Sequence, residues 1–188
     1  MHDPATALNN AHFEGFVTLQ EMPLRGMIAL RTDIGAHKAA RLIKKLTGCA
    51  IPAPNEACFG ADHSVLWMSP DELLILCDYH AAHGLAVALR EGLAGLHALV
   101  TVVSDARSSF QIIGPAWRDV LAKLTPADVS PKAFPAGMLR RSRIAQTAAA
   151  FWSEDGQSCE LICFRSVAEY TFELLKTSAQ PGSELGVF

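Results

Sequence analysis

The stretch SDARSSFQIIGPAWRDVLAKL, residues 104–124, decides how this chain folds. Its first half alternates, with Phe110 and Ile112 on one side and Gln111 on the other, which is the period of a strand. Its second half sets Trp117, Val120, Leu121 and Leu124 at i, i+3, i+4 and i+7, one face of a helix. Between them stands Gly114-Pro115. A phosphate-binding loop needs several glycines, or a GK[ST] ending, so that successive N–H groups converge on the anion. A single glycine before a proline, which has no N–H, cannot supply them. Pro115 suits the first position of a helix, and Asp119 falls near the positive end of the helix dipole. The corner joins a strand to a helix and is not read as a nucleotide site.

Working outward toward the N-terminus, LRGMIALR from Leu24 reads as a strand. A helix over 34–46 follows, with Ala39, Leu42, Ile43 and Leu46 apolar and Gly48 as its C-terminal cap. After a proline-rich loop, HSVLWMS and DELLILC form a hairpin about Ser69-Pro70-Asp71. A helix over 81–96 and the β-branched run ALVTVVSDA (98–106) complete the order strand, helix, strand, strand, helix, strand. That order is the split βαβ, or ferredoxin-like, arrangement.

Residues 104–124 open the same order again. Two β-like runs, RIAQTAAAFW and SCELICFR, flank Glu154-Asp155-Gly156, and Ser166 with Glu169 reads as a capping box for a final helix. Aligning the elements pairs Ile28 with Phe110 and Trp67 with Trp152, offsets of 82 and 85 residues. The expected fold class is α+β: two tandem ferredoxin-like units with mainly antiparallel sheets. They make pseudo-repeats of about 21–106 and 107–178 within one domain spanning 1–188. The second unit lacks a last strand, because TSAQPGSELGVF is polar and turn-rich, and the N-terminal strand 13–20 is expected to fill that place.

Composition narrows the function. Of 188 residues 50% are hydrophobic and 19% charged, with a mean hydropathy of +0.20, so some apolar surface is expected to meet a partner. A net charge of −3 and a pI near 6.1 give no field for a phosphate backbone, so nucleic acid is excluded as a ligand. The N-terminus lacks the basic and apolar regions of a signal peptide. The most apolar stretch, 84–103, is interrupted by Arg90, Glu91 and His97, so no membrane span is read. Five cysteines without a CxxC argue against a disulfide framework or zinc ribbon and fit a reducing cytoplasm.

His80 and His83 would share a helix face, with Asp78 as a third metal ligand, but a solvated helix start is the plainer reading. Cys159 and Cys163, four residues apart on a strand, lie about 13 Å apart at roughly 3.3 Å per residue, too far to bridge; they read as core thiols. Ser104-Asp105 and Ser108-Ser109 lack a GxSxG elbow and a nearby histidine. No catalytic, cofactor-binding or metal-binding residue is assigned. The run LRRSR (139–143) is the densest positive charge: Arg140, Arg141 and Arg143, with Arg107, are candidates for docking an acidic partner surface, against the alternative of a charged edge strand.

Specific motifs remain. VVSDARSSFQIIGPAWRDVLAKLTPADVSPKAFPAG, then RIAQTAAAFW and SCELICFRSVAEYTFELL, with LWMSPDELLIL earlier, resemble the gamma-subunit family of heterotetrameric sarcosine oxidase over roughly residues 20–176. That family is related to the folate-binding aminomethyltransferases, the glycine-cleavage T-protein fold. The resemblance implies a non-catalytic subunit packed directly on an alpha subunit, with beta and delta subunits completing the complex. That complex oxidatively demethylates sarcosine to glycine, hydrogen peroxide and formaldehyde or methylene-tetrahydrofolate. It also implies that FAD, FMN, NAD, tetrahydrofolate and zinc belong to the partner subunits. A free-standing folate-binding module of the aminomethyltransferase type is the alternative.

Overall fold

The computed structural model describes residues 3–188. The chain divides into two compact units: a middle unit, Arg25–Ser104, and a flanking unit made from the segments that end at Leu24 and begin at Asp105. In chain order β1 (His12–Glu14) and β2 (Thr18–Glu21) come first. The middle unit carries β3 (Gly26–Thr32), α1 (His37–Thr47), β4 (Ala57–Phe59), β5 (Ser64–Ser69), β6 (Glu72–Cys77), α2 (Ala82–Gly92) and β7 (Ala98–Val102). Then follow β8 (Arg107–Ile113), α3 (Trp117–Ala122), β9 (Leu139–Ile144), β10 (Thr147–Trp152), β11 (Ser158–Phe164) and α4 (Ala168–Ser178).

In the middle unit an antiparallel sheet of order β4-β5-β6-β3-β7 packs one face under α1 and α2. The core is the apolar period made solid: Ile28 and Leu30 from β3, Val65 from β5, Leu73 and Ile75 from β6, with Ala39 and Ile43 from α1 and Ala86 and Leu89 from α2. Helix α1 ends at Gly48, whose φ of 74° lets its N–H return to the Lys44 carbonyl at 3.0 Å.

The flanking unit repeats the plan in an antiparallel sheet of order β1-β2-β8-β11-β10-β9. The first strand of each ferredoxin-like set, β3 or β8, lies between the third and fourth strands of that set. The fourth place is held by β7 in the middle unit and by β2 in the flanking one, where Thr18–Glu21 pairs with Ile113–Phe110. Its core is more aromatic: Trp117 meets Phe134 edge-on at 5.9 Å, and Phe134 meets Phe151 at 5.5 Å.

Several local expectations are corrected. Gly114 is the corner, at φ 129°, but Pro115 stands in the turn before the helix: Trp117 N–H donates to Gly114 O at 3.1 Å and α3 starts at Trp117. Helix α1 begins at His37 rather than 34, because the Asp33 carboxylate accepts the Gly35 N–H at 3.0 Å and fixes a turn first. The capping box does not form. Ser166 sits within a 3-10 turn, Arg165–Val167, and α4 starts at Ala168 with no side-chain cap. RIAQTAAAFW is not one strand but breaks at Ala145, φ 48°, into the β9–β10 hairpin. The Trp67–Trp152 alignment also slips by one. With Ile28 matched to Phe110, ladder partners match Val65 with Phe151 and Leu66 with Trp152. Such a slip moves a side chain to the other face, so Trp67 packs on its unit's core while Trp152 lies outside the core cluster of its own.

Candidate interaction surface

The arginine run becomes β9, an edge strand whose residues alternate in purpose. Arg140, opposite Phe151, turns to the core side and lies 5.4 Å from the Phe134 ring centroid. Its guanidinium donates to Leu139 O at 3.1 Å and to Ala133 O. Arg141 and Arg143, opposite Ala150 and Ala148, are exposed on the other face. Arg107 opens β8, half-buried, its guanidinium 4.3 Å over the ring of Phe164, its ladder partner on β11. The structure therefore brings Arg140, Arg141 and Arg143 onto one strand and sets Arg107 apart on β8.

Residues that sequence reasoning passed over hold the loop beneath β9. Arg118 is 8% exposed, stacks 4.1 Å from the Trp117 ring and donates to Val129 O at 2.6 Å. Burial pushes its pKa down from the ordinary arginine value. Arg118 and Arg140 thus both reach the ring of Phe134, the aromatic residue of the PKAFP motif. The signal available beforehand was Arg118 beside the apolar face of Trp117 and Leu121, which reads as ordinary surface charge until the loop folds over it. Asp119 and Lys123, one helical turn apart, hold the C-terminal segment: Asp119 accepts from Leu185 and Gly186 N–H, and Lys123 donates to Ser178 O at 2.7 Å. In the N-terminal segment the buried Glu21 carboxylate accepts from Leu8 N–H and Asn10 N–H, at 3.0 and 2.9 Å.

The other candidates are placed as follows. His80 and His83 are exposed, and Asp78 accepts the N–H groups of His80 and Ala81 at 2.9 and 3.2 Å as a cap for the turn before α2. Among the described residues no group of three or more His, Cys, Asp or Glu is placed to hold a metal. Cys159 and Cys163 lie in the flanking core, and burial pushes both thiols up. Ser104 Oγ accepts the Met27 N–H at 3.0 Å, and Ser109 Oγ donates to Glu160 at 2.9 Å. No helix of the described residues is long and apolar enough to cross a membrane.

Two clefts remain. One of about 520 Å³ in the middle unit is lined by Arg31, Asp33, Asp71, Leu96, His97 and Leu99, among others. Arg31 is bound to Glu72 at 3.1 Å. The second, about 310 Å³ in the flanking unit, is lined by Gln111, Trp152, Glu154, Asp155, Ser158 and Glu160. A polar ladder runs across its floor: Gln20 donates to Gln111 at 2.8 Å, and Gln111 to Ser158 at 3.4 Å.

Two ferredoxin-like units of matching strand order, one borrowing its fourth strand from the N-terminal segment, define the class of the fold. The same fold is found in the glycine cleavage system aminomethyltransferase T of Bartonella henselae, with a TM-score of 0.60 at 12% identity over 86% of this chain and 46% of that one. The chain belongs to the sarcosine oxidase gamma subunit family, whose sequence profile matches residues 31–180. It is 30% identical to the sarcosine oxidase subunit gamma of Corynebacterium sp. (strain U-96), over 91% of this chain and 84% of that one. It is 31% identical to the subunit of the same name from Arthrobacter sp., over 82% and 75%. Among solved structures it is similar to a chain of the heterotetrameric sarcosine oxidase of Corynebacterium sp. U-96 in complex with pyrrole 2-carboxylate. That match has a TM-score of 0.79 and 29% identity over 87% of this chain and 83% of that one.

Proposed function

We propose that this chain is the non-catalytic gamma subunit of a heterotetrameric sarcosine oxidase, and that it stabilises the complex by packing directly on the alpha subunit, with beta and delta completing the assembly. The observation that carries this reading is the likeness, over 87% of the chain, to a chain of a solved heterotetrameric sarcosine oxidase. The complex oxidatively demethylates sarcosine to glycine and hydrogen peroxide, releasing formaldehyde or passing the one-carbon unit to tetrahydrofolate. The flavins, NAD, folate and zinc of that chemistry reside in the partner chains, in the cytoplasm. Two features support a packing role. Several charged side chains of the flanking unit, Arg118, Asp119 and Lys123 among them, hold its own loops. Exposed apolar side chains such as Leu99, Phe164 and Tyr170 remain outside.

Within this reading Arg141 and Arg143 contact an acidic surface of the alpha subunit, with Arg140, over Phe134, on the same edge strand, and Arg107, over Phe164, meets the partner separately. The test is co-expression with the other three subunits and affinity capture through a tag on this chain. Co-purification of a flavin-bearing assembly with sarcosine-dependent peroxide release supports the proposal. An isolated chain that binds tetrahydrofolate saturably in the micromolar range and captures no partner would replace it with the folate-binding module. The double variant Arg141→Glu/Arg143→Glu is expected to reduce capture; undiminished capture removes those two residues from the interface.

A further inference from the structure

The two sheets differ by one strand. In the flanking unit the fourth-position strand β2 carries β1 on its outer edge, with His12, Phe13 and Glu14 opposite Gln20, Leu19 and Thr18. In the middle unit the equivalent strand β7 ends the sheet, and among the described residues no strand pairs with its outer edge. The edge is well defined. Val103 N–H donates to Met27 O at 2.8 Å, so by antiparallel alternation the backbone groups of Ala98, Val100 and Val102 point away from β3. Arg90 is consistent with this, since its Nε and Nη2 reach the outward carbonyl of Val100 at 3.2 and 2.9 Å.

Open edges are ordinarily guarded by charge, proline or a bulge. The outer strand of the flanking sheet, β9, carries Arg140, Arg141 and Arg143. β7 reads ALVTV, with an unbroken register and no charged side chain. Its Leu99 is 60% exposed and, with Leu96 and Pro70, forms the apolar wall of the 520 Å³ cleft. Asp33 and Asp71 stand at the same cleft, Asp71 accepting from Ser69 Oγ at 2.6 Å; with Glu72 bound to Arg31, three carboxylates face one guanidinium and the cleft is net acidic.

We propose that β7 is completed in trans: an extended segment of another subunit of the oxidase adds to it as a sixth strand, as β1 adds to β2 within the chain. The segment sets an apolar side chain against Leu99 and Leu96 and a lysine or arginine toward Asp33 and Asp71. Arg90 keeps the Val100 carbonyl satisfied until an incoming amide shares it. Backbone bonds give such a contact its affinity, and the cleft gives it specificity. The inference rests on the subunit reading above.

The test compares amide hydrogen exchange of the segment 96–103 in the isolated chain and in the co-expressed complex. Assembly is expected to slow exchange there by about tenfold or more. Leu99→Glu, at an exposed position, is expected to leave the melting temperature of the isolated chain unchanged and to weaken capture of the partners by about tenfold. Thr101→Asp, on the same exposed face, gives a second reading should Leu99→Glu fold poorly. Unchanged exchange at 96–103 in a complex that does form overturns this inference and leaves the subunit reading standing. Protection already present in the isolated chain, at the mass of a dimer, assigns the edge to a second copy and overturns it too. A natural chain that enters no complex sinks the subunit reading, and this inference with it.

Discussion

The Oδ2 oxygen of Asp119 accepts the backbone N–H of Leu185 at 2.8 Å, so a buried carboxylate on a short helix holds a segment 66 residues further along. The next amide, Gly186, reaches the same oxygen at 2.9 Å. Asp119→Ala should cost about 1–3 kcal/mol, the worth of hydrogen bonds to a charged acceptor. It should also speed carboxypeptidase trimming of residues 180–188. Thermal melting and a digestion time course check both, and trimming at the natural rate would refute the tether.

Arg118 acts through shape as well as charge, since it stacks on Trp117 and caps Val129 O in one geometry. Arg118→Lys keeps the charge but loses the planar stacking, and is expected to cost about 1–2 kcal/mol in urea unfolding. Arg118→Ala should cost more, and should open the 125–138 loop to proteolysis. Equal stability of Arg118→Lys and the natural chain would show that stacking contributes nothing.

The buried thiols give a pH dependence of known sign. Burial raises Cys49 from 9.0 to about 11 and also raises Cys77, Cys159 and Cys163. Above pH 9 the unfolded chain releases protons that the folded chain keeps, so stability falls as pH rises; below that the thiols give no slope. Each contributes at most about 1.4 kcal/mol per pH unit. Melting temperatures between pH 8 and 10.5 should fall less steeply for Cys49→Ala than for the natural chain. Parallel curves would contradict the shift at Cys49.

Deleting residues 1–20 removes most of β2 and leaves the inner strand β8 as an edge, with Leu19 and Val17, both fully buried, taken from the core. The truncated chain should be insoluble or melt far lower. Leu19→Ala alone should cost about 2–5 kcal/mol. A soluble truncation with the natural melting temperature would mean that the flanking sheet does not need this strand.

Much of the fold was legible because it rests on periodicity. The alternation through Phe110 and Ile112 and the run through Trp117, Val120 and Leu121 name a strand and a helix wherever they lie in space, and all five side chains are core. The short strand β4 escaped, since three residues are too few for a period to declare itself, and the run 13–20, read as one strand, turns back on itself as β1 and β2. The capping box failed because Ser166 was taken into a 3-10 turn, a choice made by how β11 meets α4 rather than by local preference. The arginines of β9 were legible as charge but not as two populations: only the pleat and the ring of Phe134 separate Arg140 from Arg141 and Arg143.

By itself the sequence determined the class, the twofold plan and the family, because apolar spacing and local motifs are properties of neighbours along the chain. Tertiary structure alone decided where the N-terminal run 13–20 breaks into β1 and β2, which face each tryptophan takes, and that β7 ends its sheet with outward-facing amides. Those outcomes depend on register and on partners far apart in sequence, where a shift of one residue reverses a face and no local preference opposes it.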